Sequence, residues 1–405
     1  MTSTPPEPEP AAPPGPAPLR VAMIGHSFMG AVHSQAWHTA PRFFDLPLHP
    51  VTQVLCGRDA GRAGEAARRL GWSRVETDWR RAVSADDVDV VDICTPGDTH
   101  LDIAVAALEA GKHVLCEKPL ANTVAEAEVM AAAAQRAAEH GVRAMVGFTY
   151  RRTPAVALAR RLVAQGRVGQ VRHVRAQYLQ DWLADPEAPL SWRLQRERAG
   201  SGALGDIGAH VIDLAQFITG EEILEVSARL ETFVKERPLP AGETAGTLGG
   251  GGAGTERGPV SVDDAAVFLA QLSGGALGGF EATRFATGRK NAIRIEVNGS
   301  AGSLAFDFED MNVLEVFDAA EPAESAGFRR VLVTEATHPY LEAWWPPGHG
   351  LGYEHGFTHQ VVDLVRAIDR GEQPAPGFAD GLRVQRVLGA VETSSETRTW
   401  QEIHP

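Results

Sequence analysis

Hydrophobic residues in the first part of the chain fall into short continuous runs separated by longer segments with helical spacing. The runs "LRVAMIG", "VTQVLCG", "VDVVDICTP" and "KHVLCEKP" are each followed by a segment in which helical spacing is evident. Continuous Val, Ile and Leu runs that alternate with helices of about 10 to 15 residues are typical of a parallel sheet covered on both faces. The pattern predicts a dinucleotide-binding domain with a doubly wound parallel sheet, of the Rossmann type, over residues 19–150.

The pattern changes in the rest of the chain. One helix is predicted over about 205–219, and segments such as "ILEVSARLETFV" and "NAIRIEVNGSAGSLAFDF" alternate apolar and polar residues, which is typical of antiparallel strands. Residues 151–405 are expected to form a second α/β domain on a largely antiparallel open sheet, for substrate binding and oligomerisation. Residues 237–260, rich in Gly, Pro and Thr, are expected to be a mobile loop, and helices near the C-terminus could cross back onto the first domain.

The composition limits the kind of partner. A chain of 405 residues is long enough for two domains, and 44% hydrophobic with 22% charged residues is ordinary for a globular protein. The formal net charge of −14 argues against nucleic acid or an anionic membrane surface as a partner. No apolar stretch approaches the roughly 18 residues that span a bilayer. Residues 1–18, rich in Pro, Ala and Glu, lack the features of a secretory signal and are expected to form a disordered tail.

Three cysteines, Cys56, Cys94 and Cys116, each end an apolar run. They form a poor disulfide framework and have no metal-ligand spacing. We interpret them as buried thiols in a reducing compartment, which predicts a cytoplasmic protein without a metal site.

Four strand ends bring together the first candidate chemistry. Gly25, Gly57, Thr95 and Lys118 each follow or end an apolar run. Doubly wound sheets bind their ligands outside the carboxyl ends of their strands, so these residues are expected to line one crevice. A Lys at a strand exit is most often part of a solvated loop, and the convergence of the four ends is what favours a functional Lys118.

The segment "GHSFMG" predicts a dinucleotide site. Gly25 and Gly30 occupy the first and third glycine positions of G-x-G-x-x-G, and Ser27 replaces the second. The first glycine permits a tight turn, the third permits close packing of helix on strand, and the Ser27 hydroxyl can donate to phosphate at the helix N-terminus. Phe28 and Met29 lie in the same turn as further cofactor-contacting candidates. An ordinary glycine turn is the alternative interpretation.

The end of the second strand, "CGRD", bears on which cofactor binds. NAD-binding proteins tend to place a carboxylate near this point for the ribose hydroxyls. Gly57 leaves room and Arg58 can face a 2′-phosphate, which favours NADP, whereas Asp59 keeps NAD possible.

The segment "GALGDIGAH" contains a carboxylate and an imidazole four residues apart. On a helix Asp206 and His210 would share a face, so the carboxylate could hold the imidazole in one tautomer while the imidazole abstracts a proton. Such a pair alone is more often structural, and the surrounding glycines indicate that something approaches closely here.

In their order along the chain, these motifs resemble those of the glucose-fructose oxidoreductase, inositol dehydrogenase and rhizopine-catabolism family of pyridine-nucleotide oxidoreductases. The shared features are the near-G-x-G-x-x-G, "TP" with a following His, "EKP", "YRR" and D-x-x-x-H, and the resemblance covers about residues 19–400. Segments such as "YRRTPAVALA" and "GSGALGDIGAHVID" look most like the branch that contains levoglucosan dehydrogenases.

The resemblance implies roles for the matching residues. Lys118 would bind the reacting hydroxyl or the nicotinamide ribose, His210 would be the general base, and Asp206 would orient His210 or bind substrate. Glu117 would contact the nicotinamide side of the cofactor. The motif with "TP" adds three further cofactor-binding candidates: Thr95, Pro96 and His100.

Aromatic and polar side chains of the kind that bind sugars are also present. Trp and Tyr faces stack on pyranose C–H groups while polar tips bind hydroxyls, although each such residue could equally pack in a core or an interface. The candidates are Tyr150, Arg151, Gln180, Trp182, Trp192, His338, Tyr340 and Trp345.

The resulting hypothesis is an NAD(P)-dependent dehydrogenase that oxidises a ring secondary alcohol of a sugar, in the sharpest version at the 3-position of a pyranose or anhydrosugar. The alternatives are a ketosugar reductase, a redox-cycling glycosidase with tightly held NAD, and a dinucleotide-binding sensor without turnover. The alternating face of the second sheet needs a cover, which predicts a homodimer or homotetramer.

Overall fold

The computed structural model describes residues 15–241 and 252–404. Most of the predicted N-terminal tail lies outside the described residues. The first strand begins at Ala17, so the last two residues assigned to the tail, Ala17 and Pro18, belong to the sheet and pair with Leu48 and His49.

The first domain is built on a six-stranded sheet in which every neighbouring pair is parallel. The strand order is β3-β2-β1-β4-β5-β6. The strands are β1 (Ala17–Ile24), β2 (Leu48–Cys56), β3 (Arg74–Glu76), β4 (Val90–Ile93), β5 (His113–Cys116) and β6 (Ala144–Val146). The helices that alternate with them are α1 (Phe28–Phe43), α2 (Ala60–Leu70), α3 (Trp79–Val83), α4 (His100–Glu109) and α5 (Val124–Glu139).

The predicted doubly wound sheet is confirmed, and its physical basis is visible in the central strands. All four residues of β4 are buried, because helices cover both faces of the sheet. The strand order reverses between β1 and β4, and this switch point is where doubly wound folds bind their ligands.

The second domain is built on a nine-stranded sheet in the order β16-β15-β14-β13-β7-β12-β11-β8-β17. Only the β7–β12 pair of this sheet is parallel, which confirms the largely antiparallel prediction. Its strands are β7 (Val171–Leu179), β8 (Ile223–Glu231), β11 (Ala265–Leu272), β12 (Leu277–Thr283), β13 (Ala292–Gly299), β14 (Gly302–Asp307), β15 (Val313–Asp318), β16 (Arg329–Leu332) and β17 (Gln401–Glu402).

The segment predicted as a mobile loop over 237–260 is different in the structure. Two strands, β9 (Glu236–Pro240) and β10 (Ala253–Pro259), pair as an antiparallel ribbon, and residues 242–251 between them lie outside the described part. The fully buried Arg237 side chain of β9 donates to the carbonyl oxygens of Leu183, Asp185 and Ala188. Gly and Pro content alone did not reveal this anchor.

Five further helices complete the fold. They are α6 (Pro154–Ala164), α7 (Arg196–Ala199), α8 (Ala209–Thr219), α9 (Tyr353–Arg370) and α10 (Phe378–Thr397). Helix α9 packs against α1, and α10 packs against α5 and β8, so the end of the chain contacts both domains. Within the described residues, no helix is long and apolar enough to cross a membrane.

Candidate active site

The turn between β1 and α1 has the geometry of a phosphate cradle. Gly25 has a φ of +99°, and a Cβ at this position would lie 2.9 Å from the carbonyl oxygen of Cys94. A Cβ at Gly30 would lie 2.2 Å from the carbonyl oxygen of Gly25. Ser27 begins α1 as an exposed residue whose side chain caps no backbone N–H, so its hydroxyl is available to a ligand. The residues present therefore fit a dinucleotide pyrophosphate at a helix N-terminus.

Replacing Gly30 by Ala should weaken dinucleotide binding by roughly tenfold or more, because the new methyl group collides with the backbone of the cradle. Titration of the protein with dinucleotide by isothermal calorimetry measures this loss. Gly64→Ala in α2 is the matched control, since its Cβ would meet only the Arg68 side chain at 3.7 Å. Equal affinity of the Gly30 variant and the wild type would contradict the assignment of the cradle.

The other predicted residues of this turn have different environments. Phe28 is exposed and stacks on Tyr353 of α9, with ring centroids 6.3 Å apart. Met29 is partly buried and packs against the core beneath α1. Thr95 lies next to Gly25, and Pro96 precedes the short 3-10 turn that leads into α4. Phe28 and Thr95 thus border the crevice, and Met29 serves packing.

Gly57 follows β2, and the His26 side chain from the turn after β1 occupies the space beside it. A Cβ at residue 57 would lie 2.5 Å from the His26 ring, so the glycine is required by this contact. Arg58 is exposed, as a 2′-phosphate ligand would need. The Asp59 side chain accepts a hydrogen bond from the backbone N–H of Arg62 at 2.7 Å and caps α2.

His100, predicted as a cofactor ligand, is buried and connects two strand exits instead. Its Nε2 lies 2.9 Å from the Thr95 carbonyl oxygen, and its Nδ1 lies 3.1 Å from the Pro119 carbonyl oxygen. Because both ring nitrogens face backbone carbonyls, neither is available to a cofactor. Sequence position alone could not distinguish this structural role.

Lys118 and Asp206 meet across the domain boundary. The Lys118 Nζ donates to the backbone carbonyl oxygen of Asp206 at 2.7 Å and lies 3.6 Å from its Oδ1. On the other side, Arg284 is fully buried and its guanidinium lies 3.3 Å from Asp206 Oδ2. Burial would raise the pKa of Asp206, but Lys118 and Arg284 together hold it at about 2. Asp206 is therefore a permanent anion at neutral pH.

The predicted hydrogen bond between Asp206 and His210 is not formed. Residues 204–208 form a π-helical turn, whose i→i+5 hydrogen bonds rotate a residue four positions on away from its place in an α-helix. Asp206 pairs with Lys118 and Arg284 instead, although its negative charge still acts on His210. Asp206 therefore influences His210 electrostatically and does not fix its tautomer.

His210 is buried among aromatic rings at the start of α8. Its ring centroid lies 4.7 Å from that of Tyr150, and the rings of Phe148 and Tyr178 surround it. Burial lowers the pKa of His210 well below 6.5, and the charge of Lys118 lowers it further, while Asp206 raises it. The imidazole is therefore neutral at pH 7 and can accept a proton.

A hydrogen-bonded chain of side chains extends from Tyr150. The Tyr150 and Tyr178 hydroxyls lie 2.9 Å apart, and the Tyr178 hydroxyl donates to Asn291 Oδ1 at 2.6 Å. Gln180 Nε2 donates to the same oxygen at 2.9 Å, and Trp182 Nε1 donates to Gln180 Oε1 at 2.9 Å. Three of the predicted sugar-binding residues, Tyr150, Gln180 and Trp182, are thus brought together beside His210. Burial raises the pKa of the Tyr150 phenol, which stays protonated.

Trp192 packs against Arg193, a residue whose charge acts on Asp206. The Arg193 guanidinium covers the Trp192 ring at 4.5 Å from its centroid, and the Arg193 charge interacts with Asp206. Burial lowers the pKa of Arg193, but the group remains a cation. Trp192 is therefore connected to the site through Arg193, which covers its ring.

Arg151, predicted to bind substrate, is an internal tie. Its guanidinium makes two hydrogen bonds to the buried Asp213 of α8, with Nε 2.9 Å from Oδ2, and it lies 3.6 Å from Asp380 of α10. A guanidinium paired with two carboxylates ties these helices together, and the contact of Arg151 with substrate stays a prediction.

The remaining three aromatic candidates lie away from the site. Trp345 packs on Phe43 at the last residue of α1, about 22 Å along that helix from its first turn. Tyr340 stacks on His359 of α9, and His338 accepts a hydrogen bond from the Glu335 backbone N–H. Ring packing at the α1–α9 contact accounts for Trp345 and Tyr340 in one copy of the chain, and their contact with a sugar stays a prediction.

Glu117 is buried and connects the site with α1. Its Oε1 lies 3.1 Å from His33 Nε2, and its Oε2 accepts from the Lys118 backbone N–H at 3.3 Å. The other ring nitrogen of His33 lies 3.0 Å from Asp92, whose Oδ2 also accepts from Trp37 Nε1.

The possible metal-ligand atoms of His33, Asp92 and Cys94 lie within 4.8 Å of one another, as metal ligands could. Cys94 Sγ donates to Asp92 Oδ1 at 3.5 Å, and burial raises the pKa of the Cys94 thiol.

Several residues of the site were missed from the sequence. They are His33, Asp92, Tyr178, Arg193, Arg284 and Asn291. Tyr178 carried a usable signal, because it lies two residues before Gln180 and side chains two apart share one face of a strand. Arg284 and Asn291 carried none, since they lie far along the chain, just after β12 and just before β13.

Comparison with known proteins gives matches over nearly the whole chain. Residues 19–148 match the model of an oxidoreductase family with an NAD-binding Rossmann fold, and residues 156–305 match the GFO/IDH/MocA C-terminal domain. A levoglucosan dehydrogenase of Pseudarthrobacter phenanthrenivorans is 43% identical over 389 residues, covering 95% of this chain and 98% of that protein.

Solved structures also match nearly the whole chain. The crystal structure of an oxidoreductase domain protein from Kribbella flavida is 71% identical with a TM-score of 0.91, covering 96% of this chain and 100% of the other. A structure of levoglucosan dehydrogenase in complex with NADH and levoglucosan is 42% identical with a TM-score of 0.89, with the same two coverages.

A Rossmann domain with a glycine cradle, joined to an open-sheet domain that brings a neutral imidazole beside a strand-end lysine, defines an oxidoreductase that uses a nicotinamide dinucleotide. The matches agree with this class. The chain belongs to the GFO/IDH/MocA family of NAD-binding oxidoreductases.

Proposed function

We propose that the protein is a dehydrogenase that oxidises a ring secondary alcohol of a sugar, most specifically the 3-hydroxyl of a pyranose or anhydrosugar. The observation that carries this proposal is the neutral His210, on which the charge of Lys118 acts and whose ring packs on Tyr150 at one end of a chain of hydroxyl and amide groups. Alcohol oxidation needs a proton acceptor and a cation at the reacting oxygen, and a sugar needs a row of hydrogen-bonding partners.

The side chains divide the chemistry between them. A dinucleotide held at the cradle between Gly25 and Gly30 would supply the hydride acceptor for the carbon that carries the hydroxyl. His210 takes the hydroxyl proton, and Lys118 stabilises the negative charge that develops on the oxygen. Asp206, with its pKa of about 2, is too weak a base to compete for the proton, and instead it orients the ammonium of Lys118.

The cofactor preference is part of the proposal. The exposed Arg58 beside Gly57 supports NADP, whereas the relatives solved with NADH support NAD. The capping role of Asp59 leaves that carboxylate engaged with the α2 N-terminus. Assays with each dinucleotide at equal concentration decide between them.

The test is the reduction of NAD and NADP, followed at 340 nm, with levoglucosan, glucose, other pyranoses and myo-inositol. Reduced nucleotide with one sugar establishes the reaction, the cofactor and the substrate class together. Reduction of ketosugars by NADH or NADPH, with no oxidation of any sugar, would replace the proposal by a reductase. Cofactor binding without turnover in either direction would overturn the dehydrogenase assignment in favour of a sensor or a redox-cycling enzyme.

Asn291→Ala should raise the KM for the sugar by about tenfold with a smaller change in kcat, because it removes the oxygen that orients Tyr178 and Gln180. Initial-rate kinetics at saturating cofactor measure both constants. Asn298→Ala is the matched control, since Asn298 bonds to Glu296 and Ser303 elsewhere on the sheet. Unchanged KM in the Asn291 variant would show that this chain of hydrogen bonds does not contact substrate.

We also propose that the protein is a homo-oligomer, in which the second sheet packs against another copy. Val267 and Leu269 of β11 and Leu277 of β12 are each more than half exposed on the outer face of this sheet. Three large apolar side chains on adjacent strands form a patch that a second copy would cover. Light scattering at micromolar concentration tests this, and a monomer would contradict it.

A further inference from the structure

His33 is a buried histidine that none of the proposed chemical steps uses. It is 1% exposed and lies on α1 between two buried carboxylates. Its Nδ1 is 3.0 Å from both oxygens of Asp92, and its Nε2 is 3.1 Å from Glu117 Oε1. Both ring nitrogens therefore face carboxylate oxygens on opposite sides of the ring.

This arrangement determines the charge of the ring. An ionised carboxylate can only accept a hydrogen bond, so both nitrogens of His33 must donate, which requires an imidazolium. Burial lowers the pKa of His33, but Asp92 raises it more, to well above 6.5. The Trp37 indole N–H donates to Asp92 Oδ2 at 2.7 Å and so holds the Asp92 carboxylate in place.

Both oxygens of the Glu117 carboxylate have hydrogen-bonding partners. One oxygen faces His33, and the other accepts from the backbone N–H of Lys118. Residue 147 must be glycine for the carboxylate to fit, since a Cβ there would lie 2.7 Å from Glu117 Oε1. The next residue along the chain is Lys118, whose Nζ reaches the Asp206 carbonyl oxygen.

We propose that His33 is a positioning residue, which as an imidazolium between Asp92 and Glu117 fixes the Glu117 carboxylate and the strand exit that carries Lys118. Glu117 follows β5, which lies in the second half of the doubly wound sheet. In such sheets each half binds one mononucleotide, and the first half carries the glycine cradle. The nicotinamide half of the dinucleotide therefore belongs on the side of Glu117. Only the expected effect on turnover rests on the proposed function, and the expected effect on dinucleotide binding does not.

A carboxylate fixed on this side favours the cationic oxidised nicotinamide over the neutral reduced ring. His33 therefore contributes to the ratio of the dissociation constants of NAD⁺ and NADH. This ratio is measured without any sugar, by titration of the intact protein, or with the 2′-phosphorylated pair if that pair binds more tightly.

Two variants separate the two sides of the ring. His33→Asn keeps a donor near the position of Nδ1, towards Asp92, and loses the donor towards Glu117; His33→Gln keeps a donor near Nε2 and loses the contact with Asp92. We expect His33→Asn to weaken NAD⁺ relative to NADH by about tenfold and to lower kcat with little change in the KM for sugar, because Glu117 without its partner at Nε2 is no longer held towards the nicotinamide, and this displacement outweighs the loss of the imidazolium charge. His33→Gln should retain most of both. Equal loss in the two variants, or loss of melting temperature alone, would overturn the proposal.

A double-mutant cycle with Glu117→Gln gives an independent result. If His33 acts through Glu117, His33→Asn causes no further change in the NAD⁺ to NADH ratio once Glu117 is neutral. Additive effects would show that His33 acts otherwise. His38→Asn is the matched control on the same helix, because His38 bonds to the Leu70 carbonyl oxygen and should leave the ratio unchanged. If no sugar is oxidised, the proposed function fails while this binding test still stands.

Discussion

Lys118→Ala is expected to lower turnover by roughly 10²- to 10³-fold, because it removes the cation proposed to stabilise the reacting oxygen. Dinucleotide affinity should change by less than about threefold, since the cradle between Gly25 and Gly30 is untouched. Initial rates at 340 nm and calorimetric titration measure the two effects separately.

The comparison that isolates this role uses a second lysine. Lys235→Ala removes a side chain that is 69% exposed and pairs with Glu231, and it should leave both rate and affinity at wild-type values. An active Lys118 variant would rule out the proposed role of the strand-end lysine. Loss of dinucleotide affinity together with turnover would show that Lys118 binds the cofactor.

His210→Asn is expected to lower kcat/KM for alcohol oxidation by roughly 10²- to 10⁴-fold, because it removes the neutral imidazole proposed to take the proton. The described tyrosines there are protonated phenols, since burial raises the pKa of Tyr150 and of Tyr178. Kinetics at pH 7 to 8 with saturating cofactor check the loss. Full activity of the variant would exclude His210 as the base.

The pH dependence follows from the same residue. The base is active when neutral, so the rate rises with pH through the His210 pKa, and because that pKa is lowered the rise falls below pH 6.5. Lys118→Ala removes a cause of the lowering, so the His210 pKa should increase in that variant. NMR titration of the ring proton measures the change even where turnover is lost, and a downward shift would contradict the proposed contact.

The first sheet was predictable because its strands are buried on both faces. A strand such as β4 must be apolar over nearly its whole length, and that requirement is visible as a continuous run. The β9–β10 ribbon was not predictable in the same way. Its anchor, Arg237, donates to carbonyl oxygens about fifty positions earlier, and a buried arginine without a carboxylate has no pattern in a single sequence.

Site residues within short motifs could be predicted from the sequence. The partners that reach them from distant parts of the chain could not. The charge of Lys118 acts on His210, but Asp206, which contacts Lys118, also pairs with Arg284, 78 residues further on. The π-helical turn that separates Asp206 from His210 changes a four-residue spacing that would pair them in a regular helix. Residue type also misled at Trp345, because an indole packs on a phenyl ring as readily as on a sugar.

The packing of α9 on α1 has a consequence for how the protein is made. Trp37 and Phe44 of α1 belong to the same buried cluster as Phe357 and Val361 of α9, more than three hundred residues later. A chain emerging from the ribosome therefore cannot complete the core of its first domain until its last helices have been synthesised. Since synthesis proceeds at about 5–20 residues per second, the apolar side of α1 stays uncovered for many seconds, and during that interval the nascent chain is a substrate for chaperones.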